Sequence, residues 1–269
     1  MQKIPEDFSS GTNQNTVESS SEEILIFDEQ ITEALLHEIP KVYNTKINDL
    51  LLTALIIAYK SWTNETRLLI NLEGHGREYL FEKADVSRTV GWFTTIFPVL
   101  LDSGVSNNIG DIIKKVKEDL RKIPENGIGY GILRYLSSGK QISGINDDTG
   151  KPGIIFNYLG QMSDTVSKDS EWKIGSRSII LSRNVTGVRT HSIEINSIIT
   201  NNKLKMNFTF SRNNHKKETI ETFAGFYRSA LLSVIDHCKN PEAGGYTVSD
   251  FSESGLDQQE LDNLLANLN

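Results

Sequence analysis

The chain has 269 residues, with 28 lysines and arginines against 35 aspartates and glutamates, which gives a formal charge of −7. This acidic balance excludes binding to a nucleic-acid backbone as the main task, because such sites need a basic field. The single cysteine, Cys238, excludes an internal disulfide, and neither a signal-peptide core nor a membrane-spanning apolar run occurs, so we expect a cytoplasmic protein.

The first third of the chain predicts a connector followed by helices. Residues 1–23 are mostly Ser, Asn, Thr and Glu, which cannot repay the entropy of ordering, so we expect a flexible connector. Asp28 and Asn48 are each expected to cap a helix, and the second helix is apolar nearly all round, as in a buried helix. The predicted elements are a strand at Ile24–Asp28 and helices at Gln30–Tyr43 and Asp49–Trp62.

The remaining elements alternate between strands and amphipathic helices. The pair Asn201-Asn202 tolerates positive φ and predicts a hairpin turn, whereas residues 139–153 read as a polar loop. We predict strands at Leu68–Leu72, Gly91–Leu101, Ile154–Tyr158, His191–Thr200 and Lys203–Ser211, and helices at Ile109–Ile123, Ile132–Leu136, Lys216–Lys239 and Gln258–Leu268. This order indicates an α/β fold, arranged as an α+β two-layer sandwich with a mixed sheet flanked by helices.

The segment Glu73-Gly-His-Gly-Arg77 is the best candidate for a site. It places three ionisable side chains directly after a buried strand, where desolvation is costly unless the groups are paired or used. Desolvation just past a buried strand can raise the pKa of a carboxyl group, which would suit Glu73 as a general base, and the two glycines would let the backbone come close to a substrate. The alternative for Glu73 is structural, with its carboxylate paired to Arg77 or Arg88. His75 could itself act as a base, or it could be a hydrogen-bonded structural residue between two glycines.

A second candidate lies on the predicted strand Phe156-Asn157-Tyr158-Leu159-Gly160. The hydroxyl of Tyr158 can donate a hydrogen bond to a developing oxyanion, or it can belong to a buried tyrosine with no further role. The glycines at 127–131 lack the Lys-Ser/Thr ending of a phosphate-binding loop, so tight turning explains them better. The histidines show no metal-binding spacing.

Glu73–Arg77 and Ser87–Thr94 closely resemble motifs of the epimerization domains of nonribosomal peptide synthetases. These domains belong to the condensation-domain superfamily, which has the chloramphenicol-acetyltransferase-like fold. Further resembling segments follow in the family's order, at Tyr43–Leu55, Gly127–Tyr135, Phe156–Gly160 and Thr247–Phe251. The resemblance implies that residues 24–240 form the C-terminal lobe of such a domain, and that residues 241–269 form an extension with a short helix leading to a following linker.

The resemblance favours epimerization over condensation. Condensing relatives usually carry a Gly-x-Phe-x-Asn-Thr segment where this chain has Gly91-Trp-Phe-Thr94, and a His-Gln-Asp motif near Gly127–Gly131. The implied chemistry is inversion at Cα of an aminoacyl or peptidyl thioester, carried on the 4'-phosphopantetheine arm of a peptidyl carrier domain. Glu73 then matches the acid/base residue and Tyr158 a tyrosine near the reacting centre. Orienting roles fall to His75, Arg77, Arg88 and Asn157.

One departure from the family is large. The second catalytic residue of these domains is a histidine in a His-His-x-x-x-Asp-Gly motif on the N-terminal lobe, and this chain has no such motif. We therefore expect the chain to need the missing lobe, to have little activity alone and to meet other synthetase modules. The alternatives are a fragment of a condensation-type acyl or peptidyl transfer domain and a non-catalytic module that docks a carrier. No nucleic acid, membrane or intrinsic cofactor is expected.

Overall fold

The computed structural model describes residues 4–8, 15–78, 85–136, 151–162, 184–251, 253 and 255–267. Its centre is a six-stranded mixed sheet. The strands are β1 (Ser20–Phe27), β2 (Arg67–Gly74), β3 (Thr95–Asp102), β4 (Ile154–Met162), β5 (Ile193–Thr200) and β6 (Lys203–Ser211). They lie in the order β1-β6-β5-β4-β2-β3, and β4 runs parallel to both β2 and β5 while the other pairs are antiparallel. The predicted mixed sheet is confirmed.

Seven α-helices and three short helical turns accompany the described strands. The helices are α1 (Glu29–Glu33), α2 (Ile39–Val42), α3 (Ile47–Thr63), α4 (Ile109–Arg121), α5 (Gly129–Tyr135), α6 (Lys217–Lys239) and α7 (Gln258–Ala266). A π-helical turn at Ala34–Glu38 joins α1 to α2, and 3-10 turns occur at Pro124–Gly127 and Val248–Phe251. None of the helices in these described ranges is long and apolar enough to span a membrane.

The core lies between one face of the sheet and helices α3 and α6. On α6, Phe223 stacks on Trp62 of α3 at 4.7 Å between ring centroids and meets Phe208 of β6 edge-on. The Tyr227 hydroxyl of α6 donates to the backbone oxygen of Leu51, which satisfies a buried polar group. Because side chains alternate along strands, the residues between the buried ones point to the opposite face of the sheet, which carries polar side chains together with exposed apolar ones such as Ile26 and Leu100. We call this opposite side the open face.

The first strand begins earlier than the sequence predicts. Residues 20–23 pair in register with Ser211 to Phe208 of β6, so the predicted boundary between connector and lobe at residue 24 falls inside β1. Thr16 also bridges to Val188. The polar composition misled the prediction because β1 is an edge strand, where the backbone supplies the pairing and side chains on the open face stay in water.

Other differences are local. Strand β3 begins at Thr95 rather than Gly91. Helix α3 begins at Ile47, so Lys46 rather than Asn48 is its N-cap residue, and the Asp49 side chain accepts a hydrogen bond from the Lys46 backbone nitrogen at 2.7 Å. The hairpin is confirmed, with φ of 49° at Asn201 and 59° at Asn202. Most of the predicted loop at 139–153 lies outside the described residues.

A buried ion pair fastens the C-terminal segment to α4. The side chains of Lys117 and Asp250 are only 1% and 5% exposed, and the Lys117 ammonium donates to both Asp250 oxygens and to the Tyr43 carbonyl. Burial alone would raise the pKa of Asp250, but hydrogen bonds from Lys117, the Thr247 backbone and Asn44 outweigh it and hold that pKa below its usual value. The segment after α6 is therefore part of the folded unit.

Replacing Lys117 by Met should lower the free energy of unfolding by about 3–5 kcal/mol, because Asp250 is left buried without a counter-charge. Urea unfolding measures this loss. Because the pKa of Asp250 is lowered in the folded state, the contribution of this carboxylate to stability is present above about pH 4. It is lost as the pH falls through the pKa of Asp250 in the folded state. Lys115→Met, on the exposed side of α4, is the control and should cost less than about 1 kcal/mol. Equal losses in both variants would contradict the assignment.

Candidate functional site

The pairing of β2 with β4 brings Glu73 to Asn157. The parallel register aligns Leu72 with Phe156, so the next residues of each strand, Glu73 and Asn157, point to the open face side by side. The Asn157 amide nitrogen donates to the Glu73 carboxylate at 2.7 Å. Both residues are partly exposed, so the carboxylate at this end of β2 is accessible from the surface.

Glu73 and Asn157 line a cavity of about 530 Å³ that opens to the surface. Its volume falls in the range of sites for small organic ligands. The wall combines the end of β2, the loop at residues 85–94 (the 85–94 loop), the end of β4 and the facing ends of α3 and α4. Side chains at these positions include Glu73, Trp92, Asn157, Tyr158, Asp49 and Arg121.

Tyr158 reaches the cavity from the helix-packed side of β4. The register of β4 with β5 shifts between Tyr158 and Gln161, and such irregularities change the direction of nearby side chains. Burial raises the pKa of the Tyr158 hydroxyl above its usual value of 10. The phenol is therefore protonated at neutral pH, and it can donate a hydrogen bond to an oxygen in the cavity.

Arg77 organises the 85–94 loop. Its guanidinium donates to the carbonyls of Val86 and Gly91 and lies 4.3 Å from the ring centre of Phe93. Gly76 has a φ of 67°, and a Cβ there would lie 1.7 Å from the Phe93 carbonyl oxygen, so only glycine lets the two segments pass. This glycine makes room for the loop, whereas from the sequence we expected it to make room for a substrate.

His75 lines the cavity, whereas Arg88 lies outside that lining. The His75 side chain is 70% exposed, its Nδ1 accepts from the Arg77 backbone, and its Nε2 lies 3.5 Å from the Glu78 carboxylate. Arg88 is exposed and is not one of the described residues that line the cavity. Their predicted orienting roles therefore remain predictions. Arg77 contacts the loop through the bonds given above, and its predicted orienting role would act through that loop.

Two features of the cavity were missed in the sequence. Trp92 lines the cavity although its side chain is 90% exposed, and no role was assigned to it. At the far end, Arg121 forms a two-pronged ion pair with Asp49, at 3.1 and 2.6 Å. Asp49 is only 2% exposed. Seventy-two positions separate this pair, so no local sequence pattern could have revealed it.

Sequence and structure comparisons identify the family. The Condensation domain family model matches residues 1–256, and the chain therefore belongs to the Condensation domain family. It is 42% identical over 260 residues to a linear gramicidin synthase protein from Brevibacillus parabrevis, and 41% identical over 236 residues to bacitracin synthase 2 from Bacillus licheniformis. These matches cover 97% and 87% of this chain but only 3% and 9%, respectively, of the relatives.

A solved structure shares both sequence and fold with this chain. The epimerization domain from the third module of tyrocidine synthetase B superimposes with a TM-score of 0.78 at 35% identity. The match covers 88% of this chain and 52% of that domain's chain, so this chain spans about half of its structural relative. The resemblance to nonribosomal peptide synthetases and the predicted fold class are confirmed.

Arg77→Gln should loosen the 85–94 loop. Losing the guanidinium hydrogen bonds and the contact with Phe93 should make exchange of the Thr89 amide, which donates to Val86, about 10- to 100-fold faster. Amide hydrogen exchange followed by NMR measures this. Arg88→Gln removes an equal charge from the same loop and should leave the exchange rate unchanged. A similar rate in both variants would show that Arg77 does not hold the loop.

Proposed function

We propose that the chain provides the carboxylate side of an epimerization site that acts on carrier-bound aminoacyl or peptidyl thioesters. The observation that carries this proposal is the Glu73 carboxylate, which lines an open cavity and accepts a hydrogen bond from Asn157. The 35% identity to a tyrocidine synthetase epimerization domain supports this reaction over other chemistries of the family.

The proposed reaction is a balanced proton exchange at Cα. Glu73 removes the α-proton, and the electron pair of the C–H bond moves into an enolate whose negative charge lies mainly on the thioester oxygen. The protonated Tyr158 hydroxyl donates a hydrogen bond to that oxygen and stabilises it. A proton returned to the opposite face of Cα gives the inverted product, and no oxidant or reductant takes part.

Asn157 would act as a positioning residue. Its amide nitrogen donates to one Glu73 oxygen and so restrains the orientation of the carboxylate. A charged donor at this position would lower the basicity of the carboxylate, since a nearby opposite charge favours the ionised form. An uncharged amide such as that of Asn157 does not have this effect on the carboxylate it contacts.

Full inversion requires a second acid/base group. The resemblance implies a histidine from the other lobe of the domain, and this chain spans 52% of the related epimerization domain. The partners of the proposed site are that lobe, a peptidyl carrier domain and other synthetase modules. The substrate arrives on the carrier's phosphopantetheine arm, and the cavity of about 530 Å³ has room for the thioester end of that arm.

Replacing Glu73 by Gln tests the proposed base. A single base can exchange the α-proton with solvent, although inversion needs two groups. Incubated in D₂O with a carrier that bears an L-alanyl thioester, the chain should speed deuterium incorporation at Cα, and Glu73→Gln should lower that rate by about 10²–10⁴-fold. Mass spectrometry of the released amino acid measures the exchange, and chiral chromatography measures inversion.

The matched control is Glu22→Gln, which neutralises a carboxylate on the open face at the far edge of the sheet. It should exchange at the wild-type rate. The chain alone should give almost no D-alanine. Exchange that is unchanged in Glu73→Gln would contradict the proposal, and D-product formed by the chain alone at enzymatic rates would contradict the need for a second group.

A further inference from the structure

A row of asparagines crosses the open face and begins at the candidate site. Asn157 of β4 is in register with Asn196 of β5, which is in register with Asn207 of β6. All three point to the open face and are partly exposed. We call Asn157, Asn196 and Asn207 the amide row. It continues the line of Glu73 across three strands and leads out of the cavity.

The amide row has unused hydrogen-bonding capacity. The Oδ1 atom of Asn207 is buried and has no hydrogen-bond partner in the described structure. Asn196 likewise shows no side-chain hydrogen bond among the described residues, although each primary amide offers two donors and an acceptor. A buried polar atom without a partner is costly, so the Asn207 oxygen in particular calls for a hydrogen-bond donor, and the partly exposed amide of Asn196 is open to a ligand beside it.

One side of the row is a polar wall. The wall is formed around Glu194 of β5 and Thr209 of β6, the pair next to Asn196 and Asn207 on the open face. Arg189 donates to the Glu194 carboxylate at 3.2 Å, to the Thr209 carbonyl at 2.9 Å and to the side chain of Asn15. Next to it, the His191 ring bonds to Asn71 of β2. These groups use their hydrogen bonds on one another, whereas the amide row does not. The wall therefore marks one edge of the amide row.

The other side of the row is an apolar shoulder. Leu159 and Ile26 are 57% and 52% exposed, and Ile198 lies between them on the open face. Lys205, which is paired with Ile198, supplies a positive charge on this side. The result is a shallow channel with a neutral amide floor and one apolar edge. An extended peptide has the matching chemistry, because it carries alternating donors and acceptors along a backbone with apolar side chains.

We propose that the amide row binds the peptide part of a peptidyl thioester, upstream of the residue whose Cα lies at Glu73. This inference rests on the proposed function and narrows its substrate class from aminoacyl to peptidyl. Neighbouring strands lie about 4.8 Å apart, so the row from Asn157 to Asn207 is about 10 Å long. An extended chain rises about 3.3 Å per residue, so the row accommodates about three residues.

Two probes test this assignment without turnover. They are pantetheine amides, which replace the thioester sulfur by NH, and they carry either one alanine or an alanyl tripeptide. Isothermal titration calorimetry should show that the tripeptidyl probe binds at least about tenfold more tightly to the wild-type chain. Asn196→Leu and Asn207→Leu should each lower its affinity about tenfold and leave the alanyl probe within about twofold.

The control is Thr209→Val, which removes a hydroxyl from the same strand and the same face, two residues from Asn207. It should keep the wild-type preference. If a leucine variant unfolds, Asn196→Ser takes its place, since it shortens the side chain without adding apolar bulk. Equal affinity for both probes would overturn the inference, as would a tripeptide preference that survives all the Asn variants. Either result would indicate that the other lobe of the domain, and not a peptide, covers the amide row.

The Glu73→Gln variant separates this inference from the proposed function. It should retain the preference for the tripeptidyl probe while losing deuterium exchange. Exchange with no peptide preference would leave the epimerization site intact and reject the amide row as a peptide site. If the wild-type chain prefers the tripeptidyl probe but exchanges the α-proton no faster than Glu73→Gln, the epimerization site is rejected and the amide row is kept.

Discussion

The parallel pairing of β2 with β4 is the constraint on which the candidate site depends. One register step places Glu73 beside Asn157, and the resulting hydrogen bond of 2.7 Å fixes the carboxylate on the open face. A shift of one residue would turn one of the two side chains into the core, because neighbouring residues of a strand face opposite sides. The site is thus a property of the sheet, and the loops around it complete its walls.

The core sets this register from the other face of the sheet. Leu72 and Phe156, which precede Glu73 and Asn157, are buried against the helices and cannot exchange places with their polar neighbours without exposing apolar surface. The same alternation along β5 and β6 buries Ile195 and Phe208 and leaves Asn196 and Asn207 outside. One pattern of burial therefore positions both the proposed base and the amide row.

The sequence predicted features with a local cause. The apolar period of α6 and the Asn201-Asn202 turn follow from propensities acting over a few residues, and both are present in the structure. The start of β1 was missed because edge pairing uses the backbone, which polar side chains do not reveal. The Glu73–Asn157 bond spans 84 positions, and only the pairing of strands brings its partners together.

The central claim is that a carrier-bound substrate brings its Cα to the Glu73 carboxylate. Carbon-13 NMR of the chain, labelled at glutamate carboxyl carbons and assigned with Glu73→Gln, follows that group directly. Addition of a carrier loaded with an aminoacyl or peptidyl group through a stable amide should shift the Glu73 resonance and leave that of Glu22 in place. Saturation by the loaded carrier without any change at Glu73 would contradict the account.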